Sequence, residues 1–196
     1  MRHYKLLILV GKIMIKKNIV GIASGGGHLS ELQNVIPKSI KNEITYITCK
    51  NGHTKESLKE EKHFFIIDPH ISRFKYFINT CQAIILFLKL RPSIIISTGA
   101  GIAIPFMILG YFLGSKIIFI ESGASISTLS KTGEFMYKYA NLFIVHYARL
   151  LDKYPNWTAA VFGDEPREEI NVFHKRLKVF GFKKHSHILN FLKKTS

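Results

Sequence analysis

Short, uninterrupted apolar segments alternate along the chain with longer segments of helical periodicity, and this alternation limits the possible folds more than any other feature. The apolar segments lie at residues 19–23, 44–48, 64–67, 93–97, 116–120, 142–145 and 159–162. Segments of this kind are typical of strands that are buried on both faces. Their alternation with helices predicts an α/β fold, a single Rossmann-like domain with a parallel sheet flanked by helices.

The length of 196 residues suits one domain of this kind and is short for two. We place the Rossmann-like domain at residues 17–163. Residues 1–16 are interpreted as an N-terminal extension, because the chain from Met14 reads as an ordinary start that leads directly into the first strand. Residues 164–196 are interpreted as a basic C-terminal tail, in which the near-helical spacing of Phe173, Leu177 and Phe180 indicates a helix.

The chain carries 28 Lys and Arg residues against 13 Asp and Glu residues, a formal net charge of +15. An excess of this size indicates anionic partners, which are phosphates, acidic lipids or nucleic acid. A solvated basic face is the alternative interpretation. The chain lacks the usual basic motifs, interleaved with aromatic residues, of nucleic-acid-binding modules, and we therefore expect no nucleic-acid partner.

The two cysteines, Cys49 and Cys81, indicate a reducing compartment and lack the spacing of a disulfide framework or a metal site. We therefore expect no metal. The apolar segments all fall short of the ~20 residues that a membrane-spanning helix requires. The helical segment at residues 74–89 is apolar and flanked by basic residues. We expect it to hold the protein on an anionic membrane surface, as a peripheral protein on the cytoplasmic face of the cell membrane.

Three loops predicted at the carboxyl ends of strands carry the candidate chemistry, because ligands of open α/β sheets bind there. The first loop consists of Ser24, Gly25, Gly26, Gly27 and His28. Glycines allow the backbone to approach an anion closely, and the free N–H groups of the following helix attract it, so we assign this loop to a phosphate. Ser30 stands where a dinucleotide motif has its third glycine, and no P-loop Lys follows, so we expect no cofactor. A tight turn that needs glycine for packing alone is the alternative.

His28 begins the helix that follows the glycines. A histidine at this position lies beside any bound phosphate, and its pKa suits it to accept a proton from an acceptor hydroxyl. We therefore assign it either to the catalytic base or to a contact with the phosphate. A histidine that only caps the helix or hydrogen-bonds the loop is the alternative.

The second and third loops follow later strands. The second contains Ser97, Thr98, Gly99, Ala100 and Gly101, and the third begins with Glu121, Ser122 and Gly123. Glu121 closes an apolar strand, where a carboxylate is well placed to hydrogen-bond a sugar hydroxyl, and we group it with His28 as catalytic. The candidate binding residues of these loops are Ser24, Gly25, Gly26, Gly27, Ser97, Thr98, Gly99, Gly101 and Ser122. Their assignment to the acceptor or its diphosphate is implied by the family that the loops resemble. For Glu121, a surface charge or a partner of a nearby lysine is the alternative.

These loops, in this order, resemble the asparagine-linked glycosylation protein fourteen family and its bacterial relatives in capsule and exopolysaccharide synthesis. The resemblance extends over residues 17–163. The motifs that carry it lie at residues 26–32 (GGHLSEL), 97–101 with Pro105, 121–122 (ES), 129–133 (LSKTG), 143–147 and 154–163. More distantly, the same loops are similar to the N-terminal half of the lipid II-forming GlcNAc transferase of peptidoglycan synthesis.

The resemblance implies the N-terminal half of a two-domain, GT-B glycosyltransferase that is split between two chains. This chain would then be the acceptor-binding and membrane-docking subunit, and its acceptor would be a sugar on a polyprenyl diphosphate. A separate catalytic subunit would bind the UDP-sugar, so that this chain acts as a glycosyltransferase only together with that partner. The pathway implied is capsule or exopolysaccharide biosynthesis.

Two positions depart from the pattern of the family, and three other functions compete with it. Ser125 stands where the family often has Arg, and His146-Tyr147 replaces a frequent Gln-Trp. A nucleotide-binding oxidoreductase is disfavoured because the third glycine and the ribose-binding carboxylate of that motif are missing. A nucleic-acid-binding module is suggested by charge alone. A stand-alone glycosyltransferase with the same fold is the third alternative.

Overall fold

The computed structural model describes residues 18–36, 38–70, 72–147, 149–154 and 159–161. Within them, seven strands form one sheet in which every pairing is parallel. The strands are β1 (Ile19–Ala23), β2 (Ile44–Cys49), β3 (His63–Ile66), β4 (Ile94–Gly99), β5 (Lys116–Ile120), β6 (Leu142–Val145) and β7 (Ala159–Val161). The parallel, Rossmann-like α/β fold predicted from the sequence is confirmed.

Six α-helices and two 3-10 segments connect these strands in the described part of the chain. The helices are α1 (Gly27–Val35), α2 (Gly52–Ser57), α3 (Arg73–Leu90), α4 (Ile104–Phe112), α5 (Lys131–Met136) and α6 (Arg149–Lys153). The 3-10 segments are Lys38–Glu43 and Gly101–Ala103. None of the described helices combines the length and the apolar character that a bilayer crossing requires.

The order of the strands, β3-β2-β1-β4-β5-β6-β7, reverses direction between β1 and β4. A parallel sheet opens a crevice at such a reversal, at the carboxyl ends of its strands. The turns that follow β1 and β4 therefore lie next to each other at that edge. The fold thus brings together the first two of the three loops predicted to carry the chemistry.

The core is formed by apolar strands that are covered on both faces. All five residues of β1 are buried, and β5 is buried after its first residue. Phe119 of β5 stacks on Phe143 of β6 with ring centroids 5.2 Å apart, and Phe87 of α3 packs against Phe106 of α4 at 5.4 Å. Each such side chain contributes roughly 1.5–3 kcal/mol when it is fully buried. The uninterrupted apolar segments are therefore the source of the fold's stability.

The predicted boundaries are correct for β1, β5 and β6, whereas the predicted end of β4 was wrong. We expected a strand at residues 93–97 with Ser97 and Thr98 at the start of a loop, but β4 continues to Gly99. The helix predicted at residues 132–140 ends at Met136, and the short helices α2 and α6 were not predicted. The predicted extension at residues 1–16 and the tail at residues 164–196 lie outside the described residues.

Tyr46 provides a test of the core, because its buried hydroxyl has no hydrogen-bond partner in the described structure. Burial, together with a smaller effect of the Glu61 carboxylate, raises the pKa of Tyr46 from 10.0 to about 12. The folded protein therefore keeps this proton at pH values where the unfolded chain has lost it. The free energy of unfolding falls by roughly 2–3 kcal/mol as the pH rises from about 10 to about 12.

We predict that Tyr46→Phe is at least as stable as the parent at pH 7, because the substitution removes an unpaired buried hydroxyl and keeps the ring. We also predict a smaller loss of stability between pH 10 and pH 12 than in the parent. Urea unfolding across this range measures both effects. A variant that is clearly destabilised at pH 7 would show that the hydroxyl has a partner and contradict the prediction.

Candidate functional site

The turn between β1 and α1 contains three glycines that serve different purposes. A Cβ atom on Gly25 would lie 2.5 Å from Asn51 Nδ2 and 2.9 Å from Thr54 Cγ2, so this glycine is required by packing. Its N–H donates to Cys49 Sγ at 3.2 Å. Gly26 has a φ of 75° and a ψ of −135°, a conformation that is accessible to glycine alone. The first two glycines therefore fix the shape of the turn.

Gly27 is the first residue of α1 and has neither of these constraints. A Cβ atom built on it meets no atom within 4 Å, and its φ is not positive. No side chain caps the N-terminus of α1, which leaves the N–H groups of the first turn available. An uncapped helix start beside an open glycine is the arrangement that accommodates an anionic group. Ser24, half-buried, leads into this turn.

His28 is held by two hydrogen bonds to Thr98 at the end of β4. Its Nδ1 lies 2.9 Å from the carbonyl oxygen of Thr98, and the hydroxyl of Thr98 donates to the carbonyl oxygen of His28 at 2.7 Å. A carbonyl oxygen only accepts, so Nδ1 carries a proton. In the neutral ring, Nε2 is then the nitrogen with the free lone pair. The structure thus orients His28 so that Nε2 is the atom available to a ligand.

The turn after β4 lies against the histidine ring in an unusual backbone conformation. Gly99 has a φ of 107°, and a Cβ atom on it would lie 3.8 Å from Cε1 of His28. Ala100 has a φ of 72°, which a non-glycine residue rarely adopts, and costs of order 1–3 kcal/mol. Gly101 faces open space, as Gly27 does. The strained backbone therefore lies directly beside His28.

Ser97 and Thr98 are buried, and their hydroxyls bond within the protein. Ser97 Oγ accepts the N–H of Gly99 at 3.0 Å, while Thr98 Oγ1 donates to His28. These bonds hold the turn together and tie it to α1. The proposed contact of both hydroxyls with a diphosphate stays a prediction, and the geometry gives them a supporting role. Gly101 leaves room for a ligand to approach, whereas Gly99 is buried against Phe119 and His28.

Glu121, which follows β5, is only 1% exposed. Its carboxylate accepts hydrogen bonds from the N–H of Ser122, the hydroxyl of Ser125, and both the N–H and the hydroxyl of Ser130, at 2.9–3.2 Å. Gly133 makes room for it, since a Cβ atom there would overlap the carboxylate. Glu121 thus organises the loop at residues 122–130. The proposed contact of Glu121 with a sugar hydroxyl stays a prediction. Ser122, a predicted binding residue, uses its Oγ to accept the N–H of Ala124 at 3.3 Å.

The sequence did not identify Glu31 and His146 as site residues. Glu31 lies on α1, three residues after His28, and its Oε1 accepts the N–H of Gly123 at 3.0 Å. Nε2 of His146, which follows β6, lies 2.9 Å from the same oxygen. Both side chains are about one-fifth exposed. No local pattern could have indicated this cluster, because its members are 92 and 115 residues apart in the chain.

A family model described as "Oligosaccharide biosynthesis protein Alg14 like" matches residues 68–162, which include the turn after β4 and the loop after β5. The "UDP-N-acetylglucosamine transferase subunit ALG14" of Mus musculus is 28% identical over 168 residues, covering 68% of this chain and 77% of the mouse protein. The chain is Alg14-like. This agrees with the family resemblance that the sequence motifs indicated.

The Alg14-like chain is also similar to larger enzymes. The "UDP-N-acetylglucosamine--N-acetylmuramyl-(pentapeptide) pyrophosphoryl-undecaprenol N-acetylglucosamine transferase" of Clostridium tetani is 26% identical over 187 residues, covering 86% of this chain and 51% of that enzyme. In the corresponding enzyme of Clostridium kluyveri the match covers 35% of the length. The Alg14-like chain therefore spans about a third to a half of these transferases.

Two solved structures share the fold. The crystal structure of Acinetobacter baumannii MurG superimposes with a TM-score of 0.54 at 16% identity, over 67% of this chain and 42% of that one. UDP-GlcNAc 2-epimerase from Methanocaldococcus jannaschii superimposes with the same TM-score of 0.54 at 12% identity, over 90% and 52%. At these identities the similarity shows the fold alone. The Alg14-like chain thus has the architecture of one half of each of these larger proteins.

Proposed function

We propose that the Alg14-like chain is the acceptor-binding and membrane-docking subunit of a two-component UDP-sugar glycosyltransferase. Its acceptor is a sugar linked to a polyprenyl diphosphate, and its pathway is capsule or exopolysaccharide biosynthesis. The observation that carries the proposal is the open start of α1, where Gly27 and an uncapped helix lie beside the oriented ring of His28. The diphosphate of the acceptor binds there.

The division into two components rests on the relatives. The chain spans about a third to a half of the transferases that it matches, and 77% of a mouse protein that is named a transferase subunit. A partner chain then supplies the UDP-sugar site. The acceptor side needs an anion site, and the open start of α1 with its free N–H groups provides one.

His28 acts through Nε2. As a base, this nitrogen takes the proton of the acceptor hydroxyl as that oxygen attacks the anomeric carbon of the donor sugar, whose bond to the phosphate breaks so that UDP leaves. As a contact, the same nitrogen donates to the diphosphate when it is protonated. In both roles the Thr98 carbonyl holds Nδ1 and thereby keeps the ring in place.

The membrane contact is assigned to the outer surface of α3. We define the α3 surface by its exposed apolar residues, which are Phe74, Phe77, Ile84, Ile85 and Leu88. Arg73 and Lys75 flank one end of this surface and Lys89 and Arg91 the other. Apolar side chains enter the headgroup region while cations bind acidic lipids. Because α3 follows β3, it begins at the carboxyl edge of the sheet, the edge at which the glycine turn lies. The subunit is then peripheral, on the cytoplasmic face of the membrane.

We predict that the purified chain binds a polyprenyl-diphosphate-linked GlcNAc and does not bind UDP-GlcNAc or UDP-glucose with micromolar affinity.

Gly27→Asp adds a carboxylate at the first position of α1, where it repels a diphosphate but suits the helix dipole. We expect it to weaken acceptor binding at least tenfold and leave thermal stability unchanged or higher. Isothermal calorimetry and thermal unfolding measure the two effects.

The matched control is Gly52→Asp. Gly52 is the first residue of α2, and a Cβ atom on it also meets no neighbour. It receives the same charge at the start of a different helix, so acceptor binding should fall much less than in Gly27→Asp. Tight binding of a UDP-sugar to the chain alone would contradict the division into two subunits. Equal losses in both variants would contradict the assignment of the diphosphate to α1.

We predict that His28→Ala lowers turnover of the assembled two-component enzyme by roughly 10²–10⁴-fold. The fold and the assembly should persist, because the substitution removes one hydrogen bond while the backbone carbonyl of residue 28 still accepts from the Thr98 hydroxyl. A role as base predicts a lower kcat with unchanged acceptor affinity, whereas a role as diphosphate contact predicts a higher acceptor Kd. His53→Ala is the control, since His53 is an exposed histidine of α2. A His28→Ala enzyme with near-parental rate and affinity would show that the turn is only a packing feature.

We predict that binding to vesicles containing acidic phospholipid is peripheral and partly electrostatic. High salt should release much of the protein, because each basic residue near the surface contributes about 1 kcal/mol that salt screens. The double variant Phe74→Ser/Phe77→Ser should lower the partition coefficient by roughly 10²-fold, since two exposed rings no longer enter the lipid. Phe135→Ser, at an exposed phenylalanine of α5, should bind as the parent does. Binding that is unchanged in the double variant would exclude the α3 surface.

A further inference from the structure

The segment at residues 122–130, which we call the β5 loop, has neither helix nor strand. Side chains nevertheless hold it at both ends and in the middle. Glu121 binds Ser122, Ser125 and Ser130, as described above. Tyr147 donates its hydroxyl to the carbonyl oxygen of Gly123 at 3.1 Å, and Nε of Arg149 donates to the carbonyl oxygen of Ile126 at 2.7 Å. The loop therefore has a fixed conformation without regular backbone pairing.

A further attachment of the β5 loop, made by Glu31, comes from a different part of the sheet. Glu121, Tyr147 and Arg149 follow β5 and β6, so their bonds join the loop to its own side of the sheet. Glu31 belongs to α1, which follows β1, and β4 separates β1 from β5 in the sheet. The bond from Gly123 to Glu31 therefore bridges the topological reversal of the sheet. Through it the β5 loop is attached to the helix that carries His28.

The chemistry of this attachment makes it strong and directional. A carboxylate that accepts a backbone N–H forms a charge-assisted hydrogen bond, which is roughly twice as strong as a neutral one. Nε2 of His146 donates to the same oxygen and orients the carboxylate from the side of β6. Positions 28 and 31 of a helix lie one turn apart on the same face. Glu31 thus fixes the separation between the β5 loop and His28.

We propose that Glu31, oriented by His146, is a positioning residue that holds the β5 loop against α1 and so shapes the acceptor site. This inference rests on the proposed function for the identity of the ligand, and on the observed bonds for the contact itself. The β5 loop is uncharged and presents Ser127 and Thr128 to solvent. A loop of this kind, held beside a diphosphate site, contacts the sugar attached to that diphosphate.

Amide hydrogen exchange of the purified chain tests the contact without any ligand. In Glu31→Ala, exchange of the Gly123 amide should be roughly 10- to 100-fold faster, because a hydrogen bond to a charged acceptor is lost. Glu31→Gln keeps an acceptor oxygen and should lie between the parent and Glu31→Ala. His146→Gln keeps a donor and should stay close to the parent, while His146→Ala should increase exchange. Glu56→Ala, at an exposed carboxylate of α2, is the control.

Binding and kinetics test the role in the site. With polyprenyl-diphosphate-linked GlcNAc as probe, Glu31→Ala should weaken binding about tenfold or more, with Glu31→Gln partly restoring it. In the assembled enzyme the KM for the acceptor should rise while the KM for the UDP-sugar stays constant. A general loss of folding would instead lower the apparent kcat and the thermal stability without a selective rise in the acceptor KM.

Amide exchange and acceptor binding together distinguish a failure of the Glu31 inference from a failure of the proposed function. Unchanged exchange in Glu31→Ala overturns the inference, whether or not the parent binds the probe. Faster exchange with unchanged acceptor affinity also overturns it, since the contact then has no role in the site. A parent chain that binds no probe overturns the proposed function and with it the acceptor role of Glu31, while the exchange data still decide whether Glu31 holds the loop.

Discussion

The two hydrogen bonds between His28 and Thr98 join segments that are 70 residues apart in the chain, and the geometry of the site depends on them. The β1–β4 pairing places Ile22 opposite Ser97 and Ala23 opposite Gly99, so Thr98 is an extra residue in the ladder. A bulge of this kind frees backbone groups from pairing and redirects them. The carbonyl of Thr98 is thereby available to His28. The strained residue Ala100 lies two positions later, where the chain turns into the next helix. The irregularity in the sheet is thus what orients the ring.

Much of the fold could be predicted from the sequence because the information is local. Strands buried on both faces consist largely of apolar residues, so the limits of β6 coincide with those of its apolar segment and β5 adds only the exposed Lys116 at its start. The helices α2 and α6 were missed because short, largely polar segments have no clear periodicity. In α2 the decisive feature is a reciprocal cap, in which Asn51 Oδ1 accepts the N–H of Thr54 and Thr54 Oγ1 accepts the N–H of Asn51. Contacts that decide such elements lie outside hydrophobic patterning.

Some features of the candidate site could likewise be predicted from the sequence and others could not. The glycine turn is a continuous motif, and the sequence alone predicted both where it lies and that a helix begins directly after it. The reason for each glycine was not accessible, since the close neighbours of Gly25 come from the segment after β2. Nor could the sequence distinguish a carboxylate facing a ligand from one that organises a loop. Glu121 and Glu31 both accept backbone N–H groups, and only the three-dimensional structure identifies those donors. Side chains whose partners are distant in the chain are the ones that sequence patterns miss.

The orientation of α3 completes the argument, because polar groups of this helix face the protein and several large apolar groups face away. Asn79 donates to the carbonyl oxygen of Ile67, and Gln82 accepts the N–H of the same residue, each at 2.8 Å. These bonds satisfy the backbone at the end of β3 and fix the rotation of α3 about its axis. Phe74 and Phe77 are consequently 72% and 66% exposed. In a helix oriented by water alone the phenylalanines would be buried and the amides solvated. This exposed apolar face of α3 is the observation on which the proposed membrane-docking surface rests.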